Sequence, residues 1–272
     1  MMATEREEAL AVLKWYRDAG VDAALEEAPV DQFARSAIAP KPQAKPRLPG
    51  DQPVPATPSA PPPSARQPDT GAIDSARDIA AATTDIAALE AAVGAFEGCP
   101  LKARATQLCF ADGNPQADIM LIGEAPGRDE DIQGKPFVGR SGQLLDRILG
   151  AVGLSRETVY IANTVYWRPP GNRTPTPAEI AVCRPFLERQ VELVAPKIIV
   201  ALGGASAKEL FDTDTGITRL RGQWRTLKMG NHECPAIATL HPAYLLRQPA
   251  QKRLVWRDML AIADKYAELT AQ

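Results

Sequence analysis

Residues 123–142 read GEAPGRDEDIQGKPFVGRSG: five glycines, two prolines and four acids, Glu124, Asp129, Glu130 and Asp131, within eight residues. A glycine-rich turn after a strand often cradles a phosphate through its amides. Carboxylates repel one. A phosphate loop also needs a lysine followed by Ser or Thr where the helix begins, and GRSGQLL lacks that pair. The acids point instead to carboxylate chemistry, orienting water or stabilising a developing cation. Two further groups close apolar runs. Asn163 ends YIAN, and an amide side chain offers a donor and an acceptor together. His241 follows CPAIATL; the other of the two histidines, His232, lies in GNHECP, which reads as turn material.

The elements that must position these groups alternate. Residues 72–98 are alanine-rich and helical, and 117–124 (ADIMLIGE) form a buried strand entering the acidic loop. Ser141 opens a helix over SGQLLDRILGAVGL; 158–163 is a strand; 176–196 is a helix begun by Thr-Pro with a possible kink site at Pro185. Strands follow at 197–203 and 234–242, with a last helix over roughly 250–270. Strand–helix alternation implies a parallel sheet covered on both faces. The expected fold is a three-layer α/β/α domain with a central, mostly parallel four-stranded sheet. Such sheets bind ligands at the carboxyl ends of their strands, where Glu124, Asn163, Gly203 and His241 all fall.

The expected organisation has three parts: an N-terminal helix over 1–28, a proline-rich disordered linker over 29–70 and a catalytic domain over 71–272. Leu10, Leu13, Val21 and Leu25 share one face of the first helix, with Trp15 and Tyr16 off that stripe. Eleven prolines between 40 and 68 exclude a packed element there. The helix then reads as a tethered module for a protein partner that the sequence does not name. The first 98 residues carry 9 Lys and Arg against 15 Asp and Glu, and residues 99–272 carry 22 against 18. A basic body with an acidic arm suits a nucleic-acid partner. The chain has no apolar run of about 18 residues for a membrane span and no apolar signal region near Met1, so a cytoplasmic monomer is expected. Cys99, Cys109, Cys183 and Cys234 lack the spacing of a disulfide framework and read as buried thiols.

GEAPGRDEDIQGKPFVGRSGQLL, VYIANTVYWRPPGNRTPT and LHPAYLLRQP resemble, in order, the motifs of family 4 uracil-DNA glycosylases, over about residues 96 to 262. The resemblance implies a repair enzyme that flips uracil out of DNA and hydrolyses its N-glycosidic bond, leaving an abasic site. It implies that His241 stabilises the departing anion at the O2 edge and that Asn163 reads O4 and N3–H. Phe137 would stack on the base, beside Ala125. Glu124 would serve water and the sugar cation, with Glu130 and Asp131 matching the family's acid pair in support. Ala125 stands where the first family's GQDPYH loop keeps its aspartate. Leu245 and Leu246 would fill the gap left in the helix, and Arg140, Ser141 and Arg247 would hold the DNA. Lys135, Arg168 and Arg173 are further candidates for the backbone. No lysine nucleophile is evident in the motifs, so a monofunctional enzyme is expected, with uracil or other deaminated bases in DNA as substrate.

The sequence departs from the family at its metal. The family carries a four-iron, four-sulfur cluster on four cysteines. The matching positions here are Phe96, Cys99, Trp167 and Cys183. No cofactor is therefore expected, with Phe96 and Trp167 filling the vacated volume; Cys109 and Cys234 sit at no family position. The alternative is a DNA-binding member of the fold that has lost catalysis, against which the intact Glu124, Asn163 and His241 argue.

Overall fold

The computed structural model of the protein describes residues 70–271. The expected N-terminal helix over 1–28 and the linker over 29–70 lie outside the described residues, apart from Thr70, which opens the first helix. In chain order the elements are α1 (Thr70–Ala81), α2 (Ile86–Ala95), β1 (Asp112–Gly113), β2 (Ile119–Gly123), α3 (Arg128–Gln133), α4 (Arg140–Gly150), β3 (Val159–Asn163) and α5 (Pro177–Val194). There follow β4 (Ile198–Leu202), α6 (Gly204–Leu210), α7 (Ile217–Leu220), β5 (Trp224–Met229), β6 (His232–Thr239), α8 (Pro242–Arg247) and α9 (Lys252–Thr270).

The sheet has six strands in the order β1-β3-β2-β4-β6-β5. Its centre, β3-β2-β4-β6, is parallel throughout. The expected four-stranded sheet is thus present but incomplete: β1 and β5 add antiparallel edges. Neither edge has a strand signature. β1 is two residues long, and β5 buries only Leu227 and Met229 while Arg225, Thr226 and Lys228 face solvent. The helix expected over 72–98 is two helices. Thr83 and Thr84 are β-branched and poor helix formers, and the Asp85 carboxylate accepts the Ala88 amide at 2.8 Å, capping α2.

Side chains alternate across the sheet. Met120, Ile122, Tyr160, Ala162, Ile199 and Ala201 face Leu187 and Val191 of α5. Ile119, Leu121, Val159, Ile161, Ile198 and Val200 face Leu145 and Leu149 of α4 and Met259 of α9. These are the three layers, and burial of every residue in β2, β3 and β4 explains their unbroken apolar runs. A third apolar cluster joins α1 and α2 to Phe186 and Val182 of α5. Helix α5 begins at a capping box, in which Thr176 and Glu179 satisfy each other's backbone amides, with Pro177 at its first position. It runs as one helix through Pro185.

Candidate active site

The carboxyl ends of β2, β3, β4 and β6 open into a cleft of ≈ 480 Å³. Glu124, Ala125, Glu130, Phe137, Ser141, Asn163, His241 and Arg247 all line it. Sequence-distant groups meet there because the parallel register sets Gly123 beside Asn163 at the tip of the β2–β3 pair. Gly123 must lack a side chain: a Cβ there would lie 2.4 Å from Asn163 Oδ1 and 2.7 Å from the Phe137 ring. The Thr164 hydroxyl donates to the Glu124 carbonyl at 2.6 Å, and the Thr164 amide to the Gly123 carbonyl at 3.0 Å. These bonds hold the turn that carries Glu124 at the rim.

Phe137 forms one wall. Its φ of 55° is left-handed, an unfavourable state for a bulky residue. Arg156 sustains it by donating to the Phe137 carbonyl, and to Pro136 O at 3.2 Å, while it pairs with Asp112 at 2.6 Å and Asp146 at 2.7 Å. Gly142 passes close behind, where a Cβ would lie 1.6 Å from the Phe137 carbonyl oxygen. Glu130 completes the brace: its carboxylate accepts the amides of Val138 and Gly139, both at 3.0 Å.

His241 faces Phe137 across 5.4 Å between ring centroids, with the planes 29° apart. It caps α8: the Ala243 amide donates to His241 Nδ1 at 3.1 Å. A ring nitrogen that accepts cannot carry the proton, so in the neutral ring the proton sits on Nε2. Neutrality is enforced by the surroundings. Desolvation first, and the nearby Arg247 charge second, together lower the pKa from 6.5 to about 4. Gly203, at φ +96°, lets the end of β4 approach, since a Cβ there would be 2.8 Å from His241 Cβ. The end of β6 is tied down as well: Thr239 donates to Asp258 at 2.6 Å, and Arg221 pairs with the same carboxylate.

The cleft thus offers a neutral imidazole N–H, an amide, an aromatic wall and a carboxylate, an inventory suited to a planar, hydrogen-bonding heterocycle. Residues 110–260 match the family model described as the uracil DNA glycosylase superfamily. The type-4 uracil-DNA glycosylase of Archaeoglobus fulgidus is 43% identical over 170 residues, covering 61% of this chain and 85% of that protein. That of Thermotoga maritima is 43% identical over 164 residues (59% and 84%), and that of Sulfurisphaera tokodaii 39% over 171 (61% and 78%).

The chain belongs to the type-4 uracil-DNA glycosylase family. The structure also places residues whose expected roles it does not bring to the cleft. Asp131 does not line it: one oxygen accepts the Thr106 amide at 2.8 Å and the other the Thr106 hydroxyl at 3.0 Å, so this acid anchors the 106–107 segment. Leu245 is fully buried in the apolar layer between the sheet and α4 and α9, which corrects its reading as a wedge; Leu246 is 40% exposed. Arg140 starts α4 on the exposed side, outside the cleft lining. Tyr244, Arg173 and Asn172 line the cleft. Arg173 is held there by Glu179, at 2.6 and 2.8 Å. Tyr244 lies inside the third motif, but nothing in its spacing tells a lining residue from a packing one.

The four positions expected to match the family's cluster ligands do converge. Phe96, Cys99, Trp167 and Cys183 are all buried in the cluster that joins α1 and α2 to α5. The Cys99 and Cys183 sulfurs are 3.9 Å apart. Their hydrogen bond lowers the pKa of Cys99 and raises that of Cys183, which burial raises further. The Phe96 ring meets the Phe186 ring edge-on at 5.1 Å and covers Gly98, where a Cβ would lie 2.3 Å from it. Trp167 packs edge-on to Tyr166 at 6.1 Å. Cys109 is buried in an acidic neighbourhood and Cys234 in the core between the sheet and α5. Among the described residues no group of three or more His, Cys, Asp or Glu is placed to hold a metal ion, and no helix is long and apolar enough to cross a membrane.

Proposed function

We propose that this chain is a uracil-DNA glycosylase of DNA repair that works through neutral-histidine catalysis, without an iron–sulfur cluster. A flipped uracil enters the cleft against Phe137, and the Asn163 amide pairs with its O4 and N3–H edge. The amino group of cytosine mismatches that edge, so one amide both binds and selects. Water adds to the sugar carbon as the bond to the base breaks, giving free uracil and an abasic deoxyribose. The leaving pyrimidine takes up negative charge, which the His241 Nε2–H stabilises by donation. A preorganised donor aimed at developing charge contributes about 3 kcal/mol. Glu124, at the rim beside the sugar, orients the water and favours oxocarbenium character. Glu130 supports it by bracing the wall. No lysine lines the cleft, which suits hydrolysis without a covalent imine. Ser141 and Arg247 hold phosphates and Leu246 fills the vacated stack.

The bond from the Ala243 amide to His241 carries this reading, because it fixes which nitrogen can donate. The donor set carries the cofactor reading: a cluster needs four thiolates, and two of the four positions are aromatic rings packed into the core. The substrate range extends to other deaminated bases in DNA. The test incubates the protein with single- and double-stranded oligonucleotides containing uracil, hypoxanthine or xanthine and then cleaves abasic sites with alkali. Strand breaks at uracil support the reading; intact strands with every base leave a DNA-binding protein that has lost catalysis.

A further inference from the structure

Behind α8 lies a second concavity that the excision chemistry does not use. This groove of ≈ 340 Å³ runs between α4 and the start of α9, with Ile148, Leu245 and Val255 in its apolar lining and Arg147, Lys252, Arg253 and Trp256 around it. Trp256 is 46% exposed, unusual for so large a side chain. The three cations are exposed, and none takes part in an ion pair among the described residues. No acid lines the groove. It shares α8 with the cleft: Tyr244 and Arg247 face the cleft and Leu245 faces the groove. One helix width, about 10 Å, therefore separates the two.

We propose that this groove is a second DNA contact, which holds the single strand on one side of the flipped nucleotide by stacking a base on Trp256 and pairing phosphates with Arg147, Lys252 and Arg253. The inference rests on the excision reading for the strand's direction of approach. An aromatic face within unpaired basic side chains is the composition of single-strand tracks, since every base has a π-face. Three exposed cations with no acid among the lining match a phosphate backbone. Helix α8 supplies lining to both concavities, Leu245 to the groove and Tyr244 and Arg247 to the cleft.

The test uses the full chain and two readouts. The first is the anisotropy of a labelled, uracil-free single strand. Trp256→Ala is expected to weaken its binding about tenfold, the scale of one lost stacking contact, and Arg253→Glu, separately, to weaken it and to flatten its salt dependence. The second is excision kinetics with uracil near the 5′ end, the centre or the 3′ end of the strand. The variants raise KM only where the flank on one particular side is long, and leave kcat unchanged. Both substitutions are at exposed positions, and unchanged thermal melting checks that the fold is kept. Wild-type affinity in both variants overturns the proposal, as does an equal rise in KM for every uracil position. Binding of an acidic, aromatic peptide to the groove with no change in DNA affinity overturns it in favour of a protein partner. If no uracil is excised by any form, the function proposed above fails, and the anisotropy alone still decides the groove.

Discussion

The Ala243 amide donates to Nδ1 of His241 at 3.1 Å, and this one bond sets the proton on the opposite nitrogen, Nε2. The cap exists only while the ring stays neutral, because a protonated Nδ1 could no longer accept the Ala243 amide; in that neutral ring the one proton is left on Nε2. Lowered basicity and the helix cap therefore act together, and both follow from the position of His241 at the junction of β6 and α8.

Acid should affect the native protein through this ring. His241 is depressed from 6.5 to about 4, so between those values the unfolded chain binds the proton and the folded one does not. Stability then rises with pH across that window. It is fully present above about 6.5 and falls as the pH drops toward about 4. In thermal melts across this range the stability of wild type relative to His241→Asn is expected to fall as the pH drops, because the variant lacks this titrating ring. Nitrogen NMR of the ring, assigned with a His232→Asn control, is expected to show a neutral Nε2–H form at neutral pH.

Asn163 is expected to control both rate and choice of base. Asn163→Ala leaves the uracil edge unpaired in a buried site, which costs about 1–3 kcal/mol. The loss in kcat/KM should be about 10- to 100-fold, measured by initial excision rates. Asn163→Asp presents acceptors only and should lower uracil excision further than it lowers action on cytosine.

Arg156 touches no substrate in this account, yet its loss should reach the cleft. Arg156→Ala removes the donors that hold Phe137 in its left-handed state. A loss of about 2 kcal/mol in denaturant melts is expected, on the scale of charged hydrogen bonds, together with a raised KM. Gly142→Ala is expected to be worse, since its methyl group would collide with the Phe137 carbonyl oxygen at 1.6 Å.

Phe96 should behave as core and not as a remnant. Phe96→Ala opens a cavity beside Phe186 and should cost about 3–5 kcal/mol. The purified wild type is expected to be colourless and to hold no stoichiometric iron or sulfide. Brown protein with both elements would contradict the cofactor reading.

The centre of the sheet was legible in the sequence because β2, β3 and β4 are five-residue apolar runs ended by site groups. The edges were not, since β5 alternates charge with only Leu227 and Met229 buried. Leu245 and Leu246 look alike as neighbours in sequence. On a helix they point about 100° apart, so one enters the core and the other meets solvent. Asp131 looked like a partner of Glu130, but adjacent helical positions also diverge, and only Glu130 reaches the cleft. Arg156 left no trace at all, because its value lies in contacts with Asp112, Phe137 and Asp146, which only folding brings together.

The most direct measurement is the single-turnover rate of uracil release from a labelled oligonucleotide by wild type and His241→Ala, with DNA affinity measured alongside. The account expects release by wild type and a rate about 10²- to 10³-fold lower in the variant, at unchanged affinity. No release by wild type, or equal rates from both proteins, would contradict it.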